Sequence, residues 1–105
     1  MHWQATSAID QAVEQLEKKH QGLIGVVVLR RHSPAVLRST FPDTSRTLHY
    51  ARLAQSVLDA AQHDVAEGDG DEVTLLRVRT HTSEVVVTPE NGFVLVAVHS
   101  TATSV

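Results

Sequence analysis

The stretch that decides the fold is VTLLRVRTHTSEVVVTPENGFVLVAV, residues 73–98. Three runs in this part of the chain, 73–80, 84–88 and 93–99, are rich in valine, leucine and threonine, as strands are. Residues 89–92, Pro-Glu-Asn-Gly, separate the last two runs, and Asn-Gly is the dipeptide that best suits a two-residue hairpin turn. The pattern predicts three strands, the last two of them joined as a hairpin.

A long helix is predicted ahead of these strands, from residue 44 to about residue 67. Thr44, Ser45 or Thr47 can cap its amino end, and the Gly-Asp-Gly-Asp turn at 68–71 ends it. Its apolar face is wider than the stripe of about 100° that one sheet contact needs. The apolar side chains are Tyr50, Leu53, Ala54, Val57, Leu58, Ala61 and Val65. The excess width predicts that this helix also meets a second protein chain.

The amino-terminal part of the chain predicts a helix followed by a β-hairpin. Thr6 or Ser7 is expected to cap the helix, and Gly22 to stop it. Residues 23–29 are apolar on both alternating sets, which is typical of a strand covered on both faces. The last strand shares this pattern, so we expect the two strands to be neighbours at the centre of the sheet. The second strand, residues 35–41, and the third strand then lie at the edges.

Length and composition limit the possible classes of function. The chain has 105 residues, with 9 basic and 12 acidic side chains and no cysteine. It predicts a single domain over residues 1–105 with a short flexible tail at about 100–105. The lack of cysteine excludes disulfides and thiolate chemistry, and the net charge of −3 does not favour nucleic-acid binding. No apolar run approaches the roughly 20 residues of a membrane span, and the first residues do not resemble a secretory signal. We expect a soluble, intracellular protein.

Side chains that could carry chemistry are scattered along the sequence. The seven histidines show no His-x-His or His-Glu-x-x-His spacing, so metal binding is a minor alternative to ordinary surface histidines. Asp69, Asp71 and Glu72 lie in a turn without apolar walls that would raise the pKa of a carboxylate. No serine lies in a Gly-x-Ser-x-Gly turn. We predict no enzyme activity, no cofactor, no metal and no small-molecule substrate.

Arg77 and Arg79 stand two positions apart and therefore face the same side of the third strand. Two interpretations of this pair remain open. The arginines could meet acidic groups on a partner, or they could keep an edge strand soluble.

At the level of families, the chain resembles the roadblock-type dynein light chains over about residues 9–99. The resemblance rests on the order, spacing and type of residues in six segments: GLIGVVV (22–28), LRST (37–40), Tyr50-Ala51, VTLLRVRT (73–80), EVVVTP (84–89) and FVLVAV (93–98). It implies an α/β sandwich with the order α-β-β-α-β-β-β and a five-stranded antiparallel sheet. It also implies that two copies join through the second helix and the third strand into a ten-stranded sheet.

The resemblance assigns an interface and a partner. Interface residues are expected at Leu53, Ala54, Val57, Leu58, Ala61, Thr74, Leu76 and Val78, with Arg77 and Arg79 as possible charge contacts. The implied function is that of a non-catalytic dynein light chain that binds the intermediate chain and supports motor assembly and microtubule-based, ciliary or flagellar movement. The implied location is the cytoplasm and cytoskeleton, in the axoneme of a cilium or flagellum. The alternative is a roadblock-type regulator or scaffold of a small GTPase, as some bacterial and lysosomal relatives are.

Two segments depart from the family pattern. Residues 31–35, Arg-His-Ser-Pro-Ala, replace a glycine-containing hairpin, and the turn at 68–71 replaces a proline-containing connection. With these departures the chain looks like a divergent paralogue. It is similar to the second roadblock-type chain of axonemal outer-arm dynein, which pairs with a more typical sister chain. Both a homodimer and a heterodimer are therefore compatible with the sequence.

Overall fold

The computed structural model describes residues 2–19 and 22–101, and within them the side chains from residue 8 onward except that of residue 69. These residues form two helices and five strands in the predicted order, α1–β1–β2–α2–β3–β4–β5. Their bounds are α1 His2–Lys19, β1 Leu23–Arg30, β2 Val36–Ser39, α2 Thr44–Asp69, β3 Leu76–Arg79, β4 Ser83–Glu90 and β5 Phe93–Ser100. Most of the predicted tail, residues 102–105, lies outside the described residues.

The five strands form one antiparallel sheet in the order β2–β1–β5–β4–β3. Val96 of β5 stands between Val27 of β1 and Val87 of β4 at the centre of the sheet. The predicted central position of the first and last strands and the predicted edge positions of β2 and β3 are confirmed. A strand that is apolar on both sides is stable only where both sides are covered, and this requirement places β1 and β5 in the middle.

The turn between β4 and β5 follows the predicted Asn-Gly pattern. Asn91 and Gly92 both have positive φ, 47° and 83°. Positive φ at both central residues is what a type I′ hairpin turn requires, and its twist matches that of the flanking strands. The turn fixes the register that sets Glu90 opposite Phe93.

The larger hydrophobic core lies between α2 and one face of the sheet. Ala54 and Leu58 of α2 are fully buried there, together with Val27, Val87 and Val96 from three neighbouring strands. We call this side of the sheet the α2 face. Each fully buried valine or leucine of this core contributes about 1.5–3 kcal/mol relative to its exposed state.

The opposite side of the sheet, the α1 face, carries a smaller core. Val13 of α1 is buried against Val26 and Val28 of β1. Asp10 of α1 also pairs with Arg38 of β2, with 2.8 Å between carboxylate Oδ1 and guanidinium Nη1. The helix is thus held over the β2, β1 and β5 side of the sheet.

Both predicted sets of helix caps are wrong. α1 already begins at His2, so Thr6 and Ser7 lie inside the helix. At the start of α2, the carboxylate of Asp43 accepts a hydrogen bond from the Arg46 N–H at 3.0 Å, as a cap does. The residues predicted to cap α2 lie inside the helix: Thr44, Ser45 and Thr47.

β3 begins at Leu76, three residues later than predicted. The Val73 N–H donates to the Gln62 side-chain oxygen at 2.8 Å, and the Gln62 side-chain nitrogen donates to the Asp71 carbonyl at 3.1 Å. The Asp71 carbonyl and the Val73 N–H therefore bond to α2 rather than to β4. Within the described ranges, no helix is long and apolar enough to cross a membrane.

Candidate functional site

The outer edge of β3 is the best candidate for a binding site. β3 pairs with β4 along one side, with Leu76 opposite Val87 and Val78 opposite Val85. Among the residues that the structure describes, no strand pairs with its other side. An edge of this kind presents backbone donors and acceptors that a strand from another chain can take up.

The side chains of β3 alternate between the two faces of the sheet, as they do in any strand. Leu76 and Val78 are half-buried and pack against the core of the α2 face. Arg77 and Arg79 are exposed and border a groove on the α1 face. The two arginines share one side, as the spacing predicted.

A stripe of half-buried apolar side chains runs along α2. Leu53, Val57 and Ala61 follow each other at intervals of four residues, so they share one face of the helix. Leu53 borders the same core as Leu76 and Val78. We call these five residues, Leu53, Val57, Ala61, Leu76 and Val78, the seam. They give a partner apolar surface next to a strand that can still pair.

Two residues of the predicted interface lie elsewhere. Ala54 and Leu58 each expose 0% of their surface, and both belong to the chain's own core. They therefore offer no side-chain surface to a partner, and their place in the predicted interface is corrected. The core-facing and the partner-facing residues of α2 belong to one continuous apolar pattern in the sequence. The pattern alone therefore did not show which residues face the core and which face a partner.

The segment just ahead of β3 adds a residue that the sequence analysis missed. Thr74, which was predicted, is exposed, and Leu75 is 48% exposed. Leu75 was assigned to the alternating pattern of a longer strand. The sequence signal for an exposed Leu75 is that Leu75 and Leu76 are consecutive. Neighbouring residues of a strand point to opposite faces, so the two leucines cannot both be buried on one face.

The groove on the α1 face has a volume of about 500 Å³. Arg77 and Arg79 form its outer wall, and Leu16 of α1 lies on its inner side. The apolar part of its floor comes from three strand residues: Val86, Leu95 and Ala97. The Nε atom of Arg79 lies 3.5 Å from a carboxylate oxygen of Glu84, whereas Arg77 makes no ion pair with any described residue. The outer wall thus keeps a positive charge.

The described residues contain no group of three or more histidine, aspartate or glutamate side chains that could hold a metal ion. The predictions of no metal, no cofactor and no enzyme activity stay predictions. What the seam and the groove offer chemically is apolar surface, strand pairing and two guanidinium groups.

Comparison with known proteins gives one family and two similar structures. The model of the Roadblock/LC7 domain family matches residues 9–100. A Roadblock/LC7 domain from Streptomyces avermitilis is similar in structure, with a TM-score of 0.74 and 19% identity over 87% of this chain and 77% of that one. Myxococcus xanthus MglB is also similar, with a TM-score of 0.62 and 17% identity over 79% of this chain. The present chain spans 63% of the MglB chain.

Proposed function

Because the chain belongs to the Roadblock/LC7 domain family, we propose that it is a non-catalytic light chain of a dynein motor complex. It dimerises through the seam and binds a segment of the dynein intermediate chain, which supports motor assembly and microtubule-based movement. The observation that carries this proposal is the outer edge of β3, which no described strand covers, beside the half-buried apolar side chains of the seam. Roadblock domains typically form dimers.

The physical basis of the dimer is strand pairing combined with apolar burial. Pairing of β3 with β3 of a second chain extends two five-stranded sheets into one of ten strands. The surface of Leu53, Val57 and Ala61 that is still accessible to solvent is then buried against the partner. A stable interface buries about 1,600 Å² in total, and the backbone of β3 sets its register while the seam supplies its hydrophobic core. A second copy and a sister roadblock-type chain both fit this description.

The proposed location is the cytoplasm and cytoskeleton, and within the cell the axoneme of a cilium or flagellum. Its support is that residues 31–35 and 68–71 depart from the typical family pattern, as is expected of a divergent roadblock-type chain such as that of axonemal outer-arm dynein. A fluorescent fusion of the chain should then lie along the axoneme. A fusion confined to the cell body would contradict this location and leave the dimer unaffected.

Affinity purification tests the partner. The tagged chain is expressed in a ciliated or flagellated cell, and the proteins that remain bound are identified by mass spectrometry. We expect a dynein intermediate chain together with a roadblock-type light chain. Recovery of a small GTPase without any dynein subunit would overturn the proposal.

Charge insertion tests the seam. We expect Val57→Asp or Leu76→Arg to weaken the dimer roughly tenfold or more, because each places a charge against an apolar partner surface, and about 1.4 kcal/mol is a tenfold change. Sedimentation velocity over a concentration series measures the dissociation constant. Ser56→Asp is the matched control, since Ser56 is an exposed neighbour of Val57 on the same helix. Dimers of unchanged strength in both seam variants would exclude the seam.

A second candidate function is regulation of a small GTPase. It is favoured by the likeness of the fold to two bacterial proteins, because some bacterial family members act in this way. The purified chain is added to a panel of small GTPases loaded with GTP, and phosphate release is measured. Stimulation that the Leu76→Arg variant loses would support this second function over the first.

A further inference from the structure

The turn between β1 and β2 places two arginines directly ahead of a serine. Its sequence is Arg30-Arg31-His32-Ser33-Pro34. No other serine or threonine of the chain has arginine at both the second and the third preceding position. The serine lies in residues 31–35, one of the two segments that depart from the family pattern. The arrangement is therefore a feature of this chain, and neither the seam nor the binding of an intermediate chain makes use of it.

The turn presents the serine at the surface of the molecule. Arg30, His32 and Pro34 are exposed, and Ser33 is half-buried. The Ser33 Oγ accepts a hydrogen bond from the Ala35 N–H at 3.1 Å, and no residue that the structure describes accepts the hydroxyl proton. A serine hydroxyl has one donor and two lone pairs. The proton and one lone pair of Ser33 are thus available to a reactant that approaches from solvent.

Other hydroxyls that follow an arginine are engaged inside the fold. The Ser39 hydroxyl shares a hydrogen bond with that of Thr47 at 2.7 Å and accepts another from the Phe41 N–H at 3.1 Å. The Thr80 hydroxyl donates to the Ser83 carbonyl at 3.2 Å and accepts from the Ser83 N–H at 3.1 Å. Both hydroxyls must give up a donated or shared hydrogen bond before they can react, whereas that of Ser33 need not.

The turn must open before a protein kinase can hold it, because the kinase cleft binds its acceptor segment in an extended form. The bonds that open are those from the Arg30 N–H to the Ala35 carbonyl, at 3.1 Å, and from the Arg31 N–H to the Gly92 carbonyl, at 2.7 Å. His32 has a φ of 61°, in the left-handed region, and opening relieves this strain. β2 has four residues and pairs with β1 alone among the described strands. Such an edge opens locally at a lower cost than the whole chain unfolds.

We propose that Ser33 is a phosphorylation site for a protein kinase that selects basic segments, and that Arg30 and Arg31 are the residues it recognises. The Ser33 Oγ attacks the γ-phosphorus of ATP, and the bond from that phosphorus to the β–γ bridging oxygen breaks. ADP leaves, and the hydroxyl proton passes to a carboxylate base of the kinase. Acidic side chains in the kinase cleft bind the two guanidinium groups in a bidentate manner. This charge pattern selects Ser33 over the other hydroxyls of the chain.

The phosphate changes the contact between the turn and α2. The Arg31 side chain is 18% exposed, and its Nη1 lies 4.0 Å from the Asp59 Oδ1 of α2. On the same side of α2, the Gln55 side-chain nitrogen donates to the Ser33 carbonyl. A phosphate carries a charge of about −1.5 to −2 and three acceptor oxygens, so it competes with Asp59 for the guanidinium. Phosphorylation also cancels most of the positive charge of the turn, while β3 lies at the opposite edge of the sheet.

Phosphate transfer to the purified full-length chain tests the site. The chain is incubated with ATP and the catalytic subunit of cAMP-dependent protein kinase, which takes serines that follow two arginines, and tandem mass spectrometry locates the phosphate. We expect the phosphate on Ser33, and we expect Ser33→Ala to lower incorporation roughly tenfold or more. A kinase that selects acidic segments should leave Ser33 unmodified. Phosphate found mainly on Thr80 or Ser39 would overturn the proposal.

Variants of the turn test the recognition. The double variant Arg30→Ala, Arg31→Ala should lower the initial rate at Ser33 roughly tenfold or more, since two bidentate contacts to the kinase are lost. Arg52→Ala removes an exposed arginine of α2 and should leave the rate unchanged. Asp59→Asn removes the partner of Arg31 but keeps both arginines, so it separates recognition from the turn–helix contact and should not lower the rate. An unchanged rate in the arginine double variant would exclude the recognition.

A synthetic peptide of residues 28–37 tests whether the turn opens in the folded chain. The peptide needs no opening, so it should be phosphorylated faster than the chain, and both should carry the phosphate on Ser33. A circular dichroism melt confirms that the chain and each variant are folded. If the peptide is phosphorylated but the folded chain is not, the turn does not open and the site is excluded. Phosphorylation of Ser33 does not depend on the light-chain function, so failure to recover an intermediate chain leaves it standing.

Discussion

The two faces of the sheet differ in how completely the chain covers them. On the α2 face, a 26-residue helix packs on a continuous core in which Leu58, Val85, Val87, Val94, Val96 and Val98 are buried. On the α1 face, the buried cluster among the described residues is Val13, Val26 and Val28, and β4 and β3 lie outside it. The α2 face therefore supplies most of the stability, and the α1 face keeps surface for binding. Four experiments test this comparison.

The largest effect is expected from Leu58→Asp on the α2 face. It removes a fully buried leucine and places an unpaired carboxylate in the core, which costs at least about 4 kcal/mol. Such a loss is a large part of the 5–15 kcal/mol that stabilises a typical domain. Urea denaturation followed by circular dichroism should show an unfolded or barely folded chain. A folded variant with a weakened dimer would instead place Leu58 at the seam.

Gly25→Ala tests how tightly the α2 face is packed. A Cβ atom at this position would lie 2.5 Å from the Phe41 ring, and the ring is stacked on Tyr50 with 5.2 Å between centroids. The ring cannot shift without disturbing this stack, so we expect a loss of about 1–3 kcal/mol in unfolding free energy. Gly68→Ala is the control, because nothing lies within 4 Å of its Cβ position and it is in a helix. It should stabilise the chain by about 0.5–1 kcal/mol.

Two equal truncations compare the faces directly. Val13 and Val87 are both fully buried, the first on the α1 face and the second on the α2 face. Val87→Ala should cost about 2–3 kcal/mol and Val13→Ala about 1–2 kcal/mol, because α1 can settle onto the more open face and reduce the cavity. The denaturation midpoints of the two variants, each compared with that of the unchanged chain, show which loss of unfolding free energy is larger. Equal losses would mean that the α1 face is packed as rigidly as the other.

The smallest effect is expected from Asp10→Asn, which removes the ion pair between α1 and β2. The two side chains are 36% and 39% exposed. In the described part of the chain, Asp10 Oδ1 and Arg38 Nε take no aligned hydrogen bond, so the 2.8 Å approach is a charge contact and not a bidentate pair. A loss below about 1 kcal/mol is expected, and it should shrink further in high salt. Asp59→Asn, whose partner Arg31 is 4.0 Å away, should change less still.

Much of the fold was predictable because the elements have strong local signals. The Asn91-Gly92 turn could be predicted from that dipeptide alone. The central position of β1 and β5 could be predicted because both strands are apolar on both sides. The Asp43 cap of α2 was missed because the three hydroxyl residues Thr44, Ser45 and Thr47 follow it closely, and residue type alone does not decide which of these neighbours caps the helix. The late start of β3 was missed because the side chain of Gln62, distant in sequence, bonds the Asp71 carbonyl and the Val73 N–H.

The candidate site was predictable in part. Arg77 and Arg79 share a side because alternation in a strand is local, and the edge position of β3 followed from its polar residues. Which apolar residues of α2 face the core and which face outward did not follow from the sequence. Ala54 and Leu58 lie in the core, whereas Leu53 and Val57 are half-buried, although all four belong to one apolar face.

By itself the sequence determined the number, order and type of the elements, the family and the pairing at the centre of the sheet. These depend on residue spacing, turn geometry and the burial of strands, each of which acts over a few neighbouring positions. Only the tertiary structure decided which side of α2 meets the sheet and where the α1 face stays open. Both depend on the rotation and placement of whole helices on the sheet. Those are set by the sum of many contacts between distant residues, such as Phe41 against Gly25 and Asp10 beside Arg38.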